Sequence, residues 1–324
     1  MAQKYLNKKV FKKTIFILSG GLLGLLLIGL GLVYLYLPTR VAESIIAESK
    51  IRKPIEVLPG KYDLKYQSVT FETSDHIKIV GWWIPSMKRG YPLGTIIMSH
   101  GLGHNRDQML SRAAFLSKAG YQILLFDLRG NGESQYFPLS GGVFEAKDFS
   151  GALKFLKKIH KNQAPIIYFG LSLSAMAALR SAVHHPSVKG VIADSPLPNI
   201  QSFVAHKRWV GWIVYLPYFL RQCLSIYDQK TGLPLRLREF NLCNVVKQLR
   251  HTPVLYFVGE EDQLISSRAI RHLFNCTACP HRQLVFVPNA QHAKTFNAFK
   301  MIYEKIVLNF LNEIKKGFPK NKFI

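Results

Sequence analysis

Hydrophobic and polar positions change rhythm twice along this chain. From Thr14 to Leu37 no residue carries a charged side chain. Wound as a helix, this stretch spans about 36 Å, enough for the roughly 30 Å hydrocarbon core of a bilayer. Tyr34 and Tyr36 sit near one end, where amphipathic rings favour the interface, and Pro38 is expected to stop the helix. Residues 38–60, punctuated by Pro54 and Pro59, read as a linker. Beyond them, short apolar runs alternate with segments of helical spacing.

Val69–Thr73 and Ile77–Ile84 read as an opening strand pair, with Gly81 at a bulge. Thr95–Ser99, Gln122–Phe126, Ile166–Phe169, Val188–Ala193, Val254–Val258 and Leu284–Val287 read as buried strands. Helices are expected over Arg106–Lys118, Ala146–His160, Ala175–Val183, Ser267–Phe274 and most of Ala293–Ile314. This alternation predicts an α/β fold, a mainly parallel sheet covered by helices on both faces, with its sites at the carboxyl ends of the strands. The chain divides into a basic tail (1–13), a transmembrane anchor (14–37), a linker (38–60) and one α/β domain (61–324), within which 195–250 interrupts the alternation.

Charge sharpens the first division. The tail holds five lysines and no acid, so five of the +24 net charges belong to it and 19 to the remainder. The apolar run is longer than the 7–15 residues of a signal-peptide core and lacks a convincing small-x-small cleavage site, which favours an uncleaved anchor over a secretory signal. The lysines ahead of the helix put the N-terminus in the cytoplasm and the domain across the membrane, against a smaller excess formed by Arg40, Lys50, Arg52 and Lys53. The other basic residues are scattered, with no nucleic-acid-binding motif or aromatic-interleaved stripe, so no nucleic-acid partner is expected.

Gly170-Leu171-Ser172-Leu173-Ser174 lies between an apolar strand and a helix. A sharp strand-to-helix turn there pushes the Ser172 hydroxyl into the open, and the crowding requires small residues at 170 and 174. His100-Gly101-Leu102-Gly103 follows another strand; its backbone is placed to offer one oxyanion donor, at Leu102, and the N–H of Leu173 offers a second. His100 and Gly101 are read as bracing that loop. Asp127 and Arg129, in the glycine-rich turn Asp127–Ser134, are read as fixing a neighbouring loop through charge-assisted hydrogen bonds. Asp262 follows the strand ending at Val258, with Glu260 and Glu261 as rivals for the same role, and His292 follows the last strand. A hydroxyl, a carboxylate and an imidazole in this order suit nucleophilic acyl chemistry: His292 as base toward Ser172, Asp262 orienting the imidazole. That chemistry needs no metal or organic cofactor.

Together these residues resemble the α/β-hydrolase superfamily over roughly residues 61–316. The G-x-S-x-small elbow falls on Ser172, the H-G loop on His100-Gly101, the D-x-R-G-x-G-x-S turn on Asp127–Ser134, the acid on Asp262 and the late histidine on His292. Ser174 stands where a second elbow glycine is usual, and Asn131 where histidine is common. The chain looks most like membrane-anchored, single-domain serine hydrolases related to the prolyl-oligopeptidase-type and dienelactone-hydrolase-like branch. The resemblance implies an eight-stranded sheet and gives 195–250 the place of a small helical cap. Its expected activity is hydrolysis of an ester, thioester or amide of a small-molecule, lipid or peptide acyl substrate. Acyl transfer by the same triad, or a silent membrane-tethered binding protein, are the alternatives.

Four cysteines remain: Cys223, Cys243, Cys276 and Cys279. Cys276-x-x-Cys279 lacks the further ligands of a zinc site and follows a helix rather than opening one, so neither metal binding nor redox catalysis is expected. The simplest reading is free structural thiols, although an even count is compatible with disulfides.

Overall fold

The computed structural model describes residues 2–159, 164–199, 201 and 217–318. Its centre is an eight-stranded sheet in the order β1-β2-β4-β3-β5-β6-β7-β8. The strands are β1 (Gln67–Glu72), β2 (Lys78–Ile84), β3 (Gly94–Ser99), β4 (Tyr121–Phe126), β5 (Ile166–Leu171), β6 (Val188–Asp194), β7 (Val254–Gly259) and β8 (Arg282–Val287). From β4 to β8 every pairing is parallel, while β2 runs antiparallel to both β1 and β4. The mainly parallel sheet expected from the alternating pattern is therefore present, with a mixed edge.

Successive strand residues point to opposite faces, and the core divides accordingly. Ile96 and Met98 of β3, with Phe169 of β5, join a cluster built on α2 (Leu110–Ala119) and the C-terminal helix Lys300–Lys316. Ile97 and Tyr168 face the other way, against α3 (Ala146–Ile159) and α4 (Leu173–Val183). Every residue of β3 and β7 is buried, the signature of a strand covered on both faces. Further α-helices among the described residues are α5 (Pro217–Thr231), α6 (Leu242–Val246), α7 (Ser267–Cys276), α8 (Thr295–Ala298) and α9 (Lys300–Lys316). The helix expected over 293–314 is thus two helices, broken at Phe299, whose φ of −139° lies outside the helical range.

Gly81 is not at a bulge. The β1–β2 register passes through it without interruption, and a Cβ there would lie 2.7 Å from the Leu125 carbonyl oxygen. Its glycine is needed for close approach of β4.

Pro38 does not stop the first helix, and residues 38–49 are not linker. Helix α1 runs unbroken from Ala2 to Ser49. Proline removes one backbone donor, but Val41 and Ala42 beyond it are buried and Ile45 and Ile46 pack on the core, so burial outweighs the lost bond. Helix α5 lies along this segment: Tyr34 stacks on Tyr218 at 5.8 Å and Lys230 pairs with Glu43 at 3.0 Å. Residues 50–60 are tied down as well. Arg52 donates to the Gly132 carbonyl and Asn105 donates to that of Pro54. Upstream, Leu22, Leu25 and Leu35 are exposed, and α1 is the one helix among the described residues long and apolar enough to cross a membrane. Of the segment expected to form a cap, 195–250, residues 200 and 202–216 lie outside the described residues.

The cysteines also depart from expectation. Cys243 and Cys276 form a disulfide joining α6 to α7, while Cys223 and Cys279 are buried free thiols. Sequence spacing does not reveal connectivity; here two short helices bring residues 33 apart to a Cα separation of 5.3 Å.

Candidate active site

Ser172 follows β5 directly and opens α4 with φ of +53° and ψ of −110°. This conformation is costly for a residue with a Cβ and is held by its surroundings. A Cβ at Gly170 would fall 2.3 Å from the Ala175 nitrogen, so only glycine lets the helix turn back so tightly. Ser174 does more than stay small. Its buried hydroxyl accepts the Leu171 N–H at 2.7 Å and lies 2.7 Å from the Ser99 carbonyl, fastening the turn to the end of β3. A second glycine would leave those groups without this partner.

The three distant residues meet at the carboxyl edge of the sheet. The Ser172 hydroxyl lies 2.8 Å from Nε2 of His292, and Nδ1 of His292 lies 2.8 Å from Oδ2 of Asp262. With Nδ1–H donated to the carboxylate, Nε2 presents its lone pair to the serine. The other Asp262 oxygen accepts the N–H groups of Leu264 and Ile265 at 2.9 and 3.0 Å, which fixes the carboxylate plane. Glu260 and Glu261 are exposed, whereas the Asp262 side chain is fully buried. Leu102 and Leu173 line the same cavity as Ser172 and His292, a space of about 270 Å³.

His100 is wholly buried. Its Nε2 accepts the Leu128 N–H at 3.1 Å, leaving Nδ1–H to donate to the Gly101 carbonyl at 2.8 Å. Burial pushes its pKa down, with Asp127 opposing, so the ring is neutral and ties the His100 loop to the turn after β4. Asp127 and Arg129 fix that turn through separate partners. Asp127 accepts from Arg106 and from the Glu133 N–H. Arg129 binds Asp148 at 2.7 Å and Asp75 at 2.8 Å.

Sequence reasoning passed over Asp194 and Gln108. Asp194, fully buried at the end of β6, accepts from Arg112, Thr295 and Tyr303 at 3.1, 2.7 and 3.0 Å. Its neighbour Ser195 accepts the Ala293 N–H, so this hub holds the chain that follows His292, at Ala293 and Thr295. A carboxylate directly after the apolar run Val191–Ala193 was the available signal. Gln108 accepts the Gly101 N–H at 2.9 Å and so positions the loop bearing Leu102; nothing in its spacing announces this.

Cys243, His272 and Cys276 are the one group among the described residues with ligand atoms close enough to share a metal ion. With both sulfurs in the disulfide, the group offers no thiolate.

A family model described as serine aminopeptidase, S33, matches residues 90–226. The chain is 25% identical over 256 residues to the Bacillus subtilis protein YqkD, covering 75% of this chain and 83% of that one. It is 29% identical over 148 residues to a thiohydrolase of Eupenicillium brefeldianum, 44% of this chain and 47% of the relative. The solved esterase Pf2001 of Pyrococcus furiosus superposes with a TM-score of 0.66 at 24% identity, covering 81% of this chain and 96% of that structure. The fold is that of the α/β hydrolases. The family match suggests a hydrolytic function.

Proposed function

We propose that the chain is a membrane-anchored serine hydrolase that cleaves an ester, thioester or amide through an acyl-enzyme on Ser172. The observation that carries this reading is the unbroken relay from the Ser172 hydroxyl through His292 to buried Asp262, both links at 2.8 Å. His292 takes the serine proton as the hydroxyl oxygen attacks the acyl carbon, and later gives it to the leaving group. Asp262 keeps the ring in the required tautomer and stabilises the imidazolium. The N–H groups of Leu102 and Leu173, the latter at the positive end of α4, receive the charge on the tetrahedral intermediate. Water then attacks the acyl-enzyme with His292 as base. Within the superfamily this reading sets the chain beside the membrane-anchored prolyl-oligopeptidase-like and dienelactone-hydrolase-like branch.

The test is covalent labelling by an alkyl fluorophosphonate. Wild-type protein labels and Ser172→Ala, folded by circular dichroism, does not; unlabelled wild type would refute the reading. For location, the five leading lysines and the Cys243–Cys276 bridge both support a cytoplasmic N-terminus with the domain in an oxidising compartment. Protease added to intact spheroplasts digests the domain on this topology, and full protection would reverse it.

A further inference from the structure

The cavity around Ser172 is not electrically even. Its lining is apolar at Leu102, Leu173, Leu197 and Leu264 and polar or cationic at His104, Gln108 and Lys294. Among the described residues no carboxylate lines the cavity, and neither Lys294 nor Lys53 forms an ion pair. Lys53 is brought to this side by Asn105, which donates to the Lys53 and Pro54 carbonyls. Half-buried His104 has its pKa lowered by burial first, then by Lys53, His100 and Lys294, against Asp107. Asp107 does not neutralise the lysines by an ion pair; its Oδ2 accepts the N–H groups of Glu56 and Val57. Lys294 is held in place by the chain around it, two residues after His292, with its backbone N–H bonded to the Gln291 carbonyl at 3.1 Å.

We propose that this cavity selects acyl substrates bearing an anionic oxygen group, a carboxylate or a phosphate, beside the scissile carbonyl, and that Lys294 is the residue that selects them. The inference rests on the serine-hydrolase reading. Lys294 is exposed at the rim, and a cation there concentrates anions at the mouth of the cleft, an attraction that salt screens. The leucines of the lining take the hydrocarbon part of the substrate, so selection is for an amphipathic acid rather than for a neutral ester. Lys53 strengthens the field from the side, and neutral His104 offers a ring nitrogen for hydrogen bonding.

Two matched pairs test the idea on the full-length protein in detergent. In the first, p-nitrophenyl hemiglutarate is compared with p-nitrophenyl valerate, placing a carboxylate on the acyl side. In the second, monododecanoylglycerol phosphate is compared with monododecanoylglycerol, placing a phosphate on the alcohol side. In at least one pair the anionic member should have the higher kcat/KM. Lys294→Glu should lower the anionic-to-neutral ratio by about tenfold, and high salt should reduce the wild-type preference. Lys65→Glu, an equal charge change at a residue that is likewise exposed but does not line the cavity, should leave the ratio unaltered. The pair that responds identifies which side of the bond the anion occupies. Hydrolysis of the neutral esters with no anionic preference in either pair, or a ratio indifferent to Lys294→Glu, would overturn the inference while leaving the Ser172 mechanism standing. No hydrolysis of any ester together with no fluorophosphonate labelling would remove both.

Discussion

Gly259 shows how little space separates the two loops that complete the relay. A Cβ there would lie 2.0 Å from the Ala290 carbonyl oxygen, and that carbonyl accepts the Glu261 N–H at 3.0 Å. One methyl group therefore forces apart the strand end that bears Asp262 and the loop that bears His292. Displacement of a catalytic group by about 1 Å costs on the order of a hundredfold in rate. Gly259→Ala should accordingly lower the fluorophosphonate labelling rate by about that factor with little loss of secondary structure; an unchanged rate would mean that the loops yield without moving His292. Backbone strain gathers at the same edge. Ser172, Ser195, Asn289 and Ala293 all have φ between +53° and +60°, each beside a residue that holds or forms the relay.

At the scale of elements, two tethers outside the relay fix the loops around it. The Cys243–Cys276 bridge joins α6 to α7, and α7 follows the Asp262 loop. Closing a loop of 33 residues restricts the unfolded chain, which in the chain-entropy account is worth about 3–4 kcal/mol. Urea denaturation with and without reductant should show a loss of that order, and equal midpoints would argue that the bridge is absent in solution. The second tether is Arg129, which reaches from the turn after β4 to Asp148 on α3 and to Asp75 before β2. Burial works to raise the Asp75 pKa, but hydrogen bonds from Arg129, Thr73 and Lys147 outweigh it and hold the carboxyl well below the usual range. A folded-state value below the unfolded one, near about 4, gives stability that is complete above that pH and fades as acid protonates the folded group. The stability difference between wild type and Asp75→Asn should be widest at neutral pH and close below about pH 4. A difference independent of pH would place the effect elsewhere than in this ionisation.

The whole molecule is a hydrolase-fold domain built onto the end of an apolar helix, and the boundary between them lies inside the helix. Val41 and Ala42 are buried with the core, while Leu22, Leu25 and Leu35 are exposed. Removing residues 1–37 should release a soluble domain that still labels. Removing residues 1–49 also strips the segment packed on α5, uncovering Leu220 and Tyr227, and should yield a less stable, aggregation-prone protein. Thermal denaturation of the two truncations checks this, and equal midpoints would show that residues 38–49 contribute nothing to the domain.

Much of this was legible in order of residues alone. Alternating apolar runs and helical spacing define a parallel sheet, because a strand buried on both faces has no polar side to show, and Ser172, Asp262 and His292 each follow such a run. What a linear pattern lacks is distance. It left Glu260 and Glu261 beside Asp262 as rivals, since three adjacent acids look alike until burial and a 2.8 Å contact with His292 distinguish one. It ended the first helix at Pro38, because the local cost of proline is visible in sequence whereas the compensating contact with α5, some 180 residues away, is not. The Cys243–Cys276 pairing, the Asp194 hub and the place of Lys294 in the lining of the cavity belong to the same class. The sequence by itself determined the layers and the residues available for chemistry, through short-range periodicity and turn sterics. Only tertiary structure decided which of those residues meet, because that depends on packing between segments that are remote along the chain.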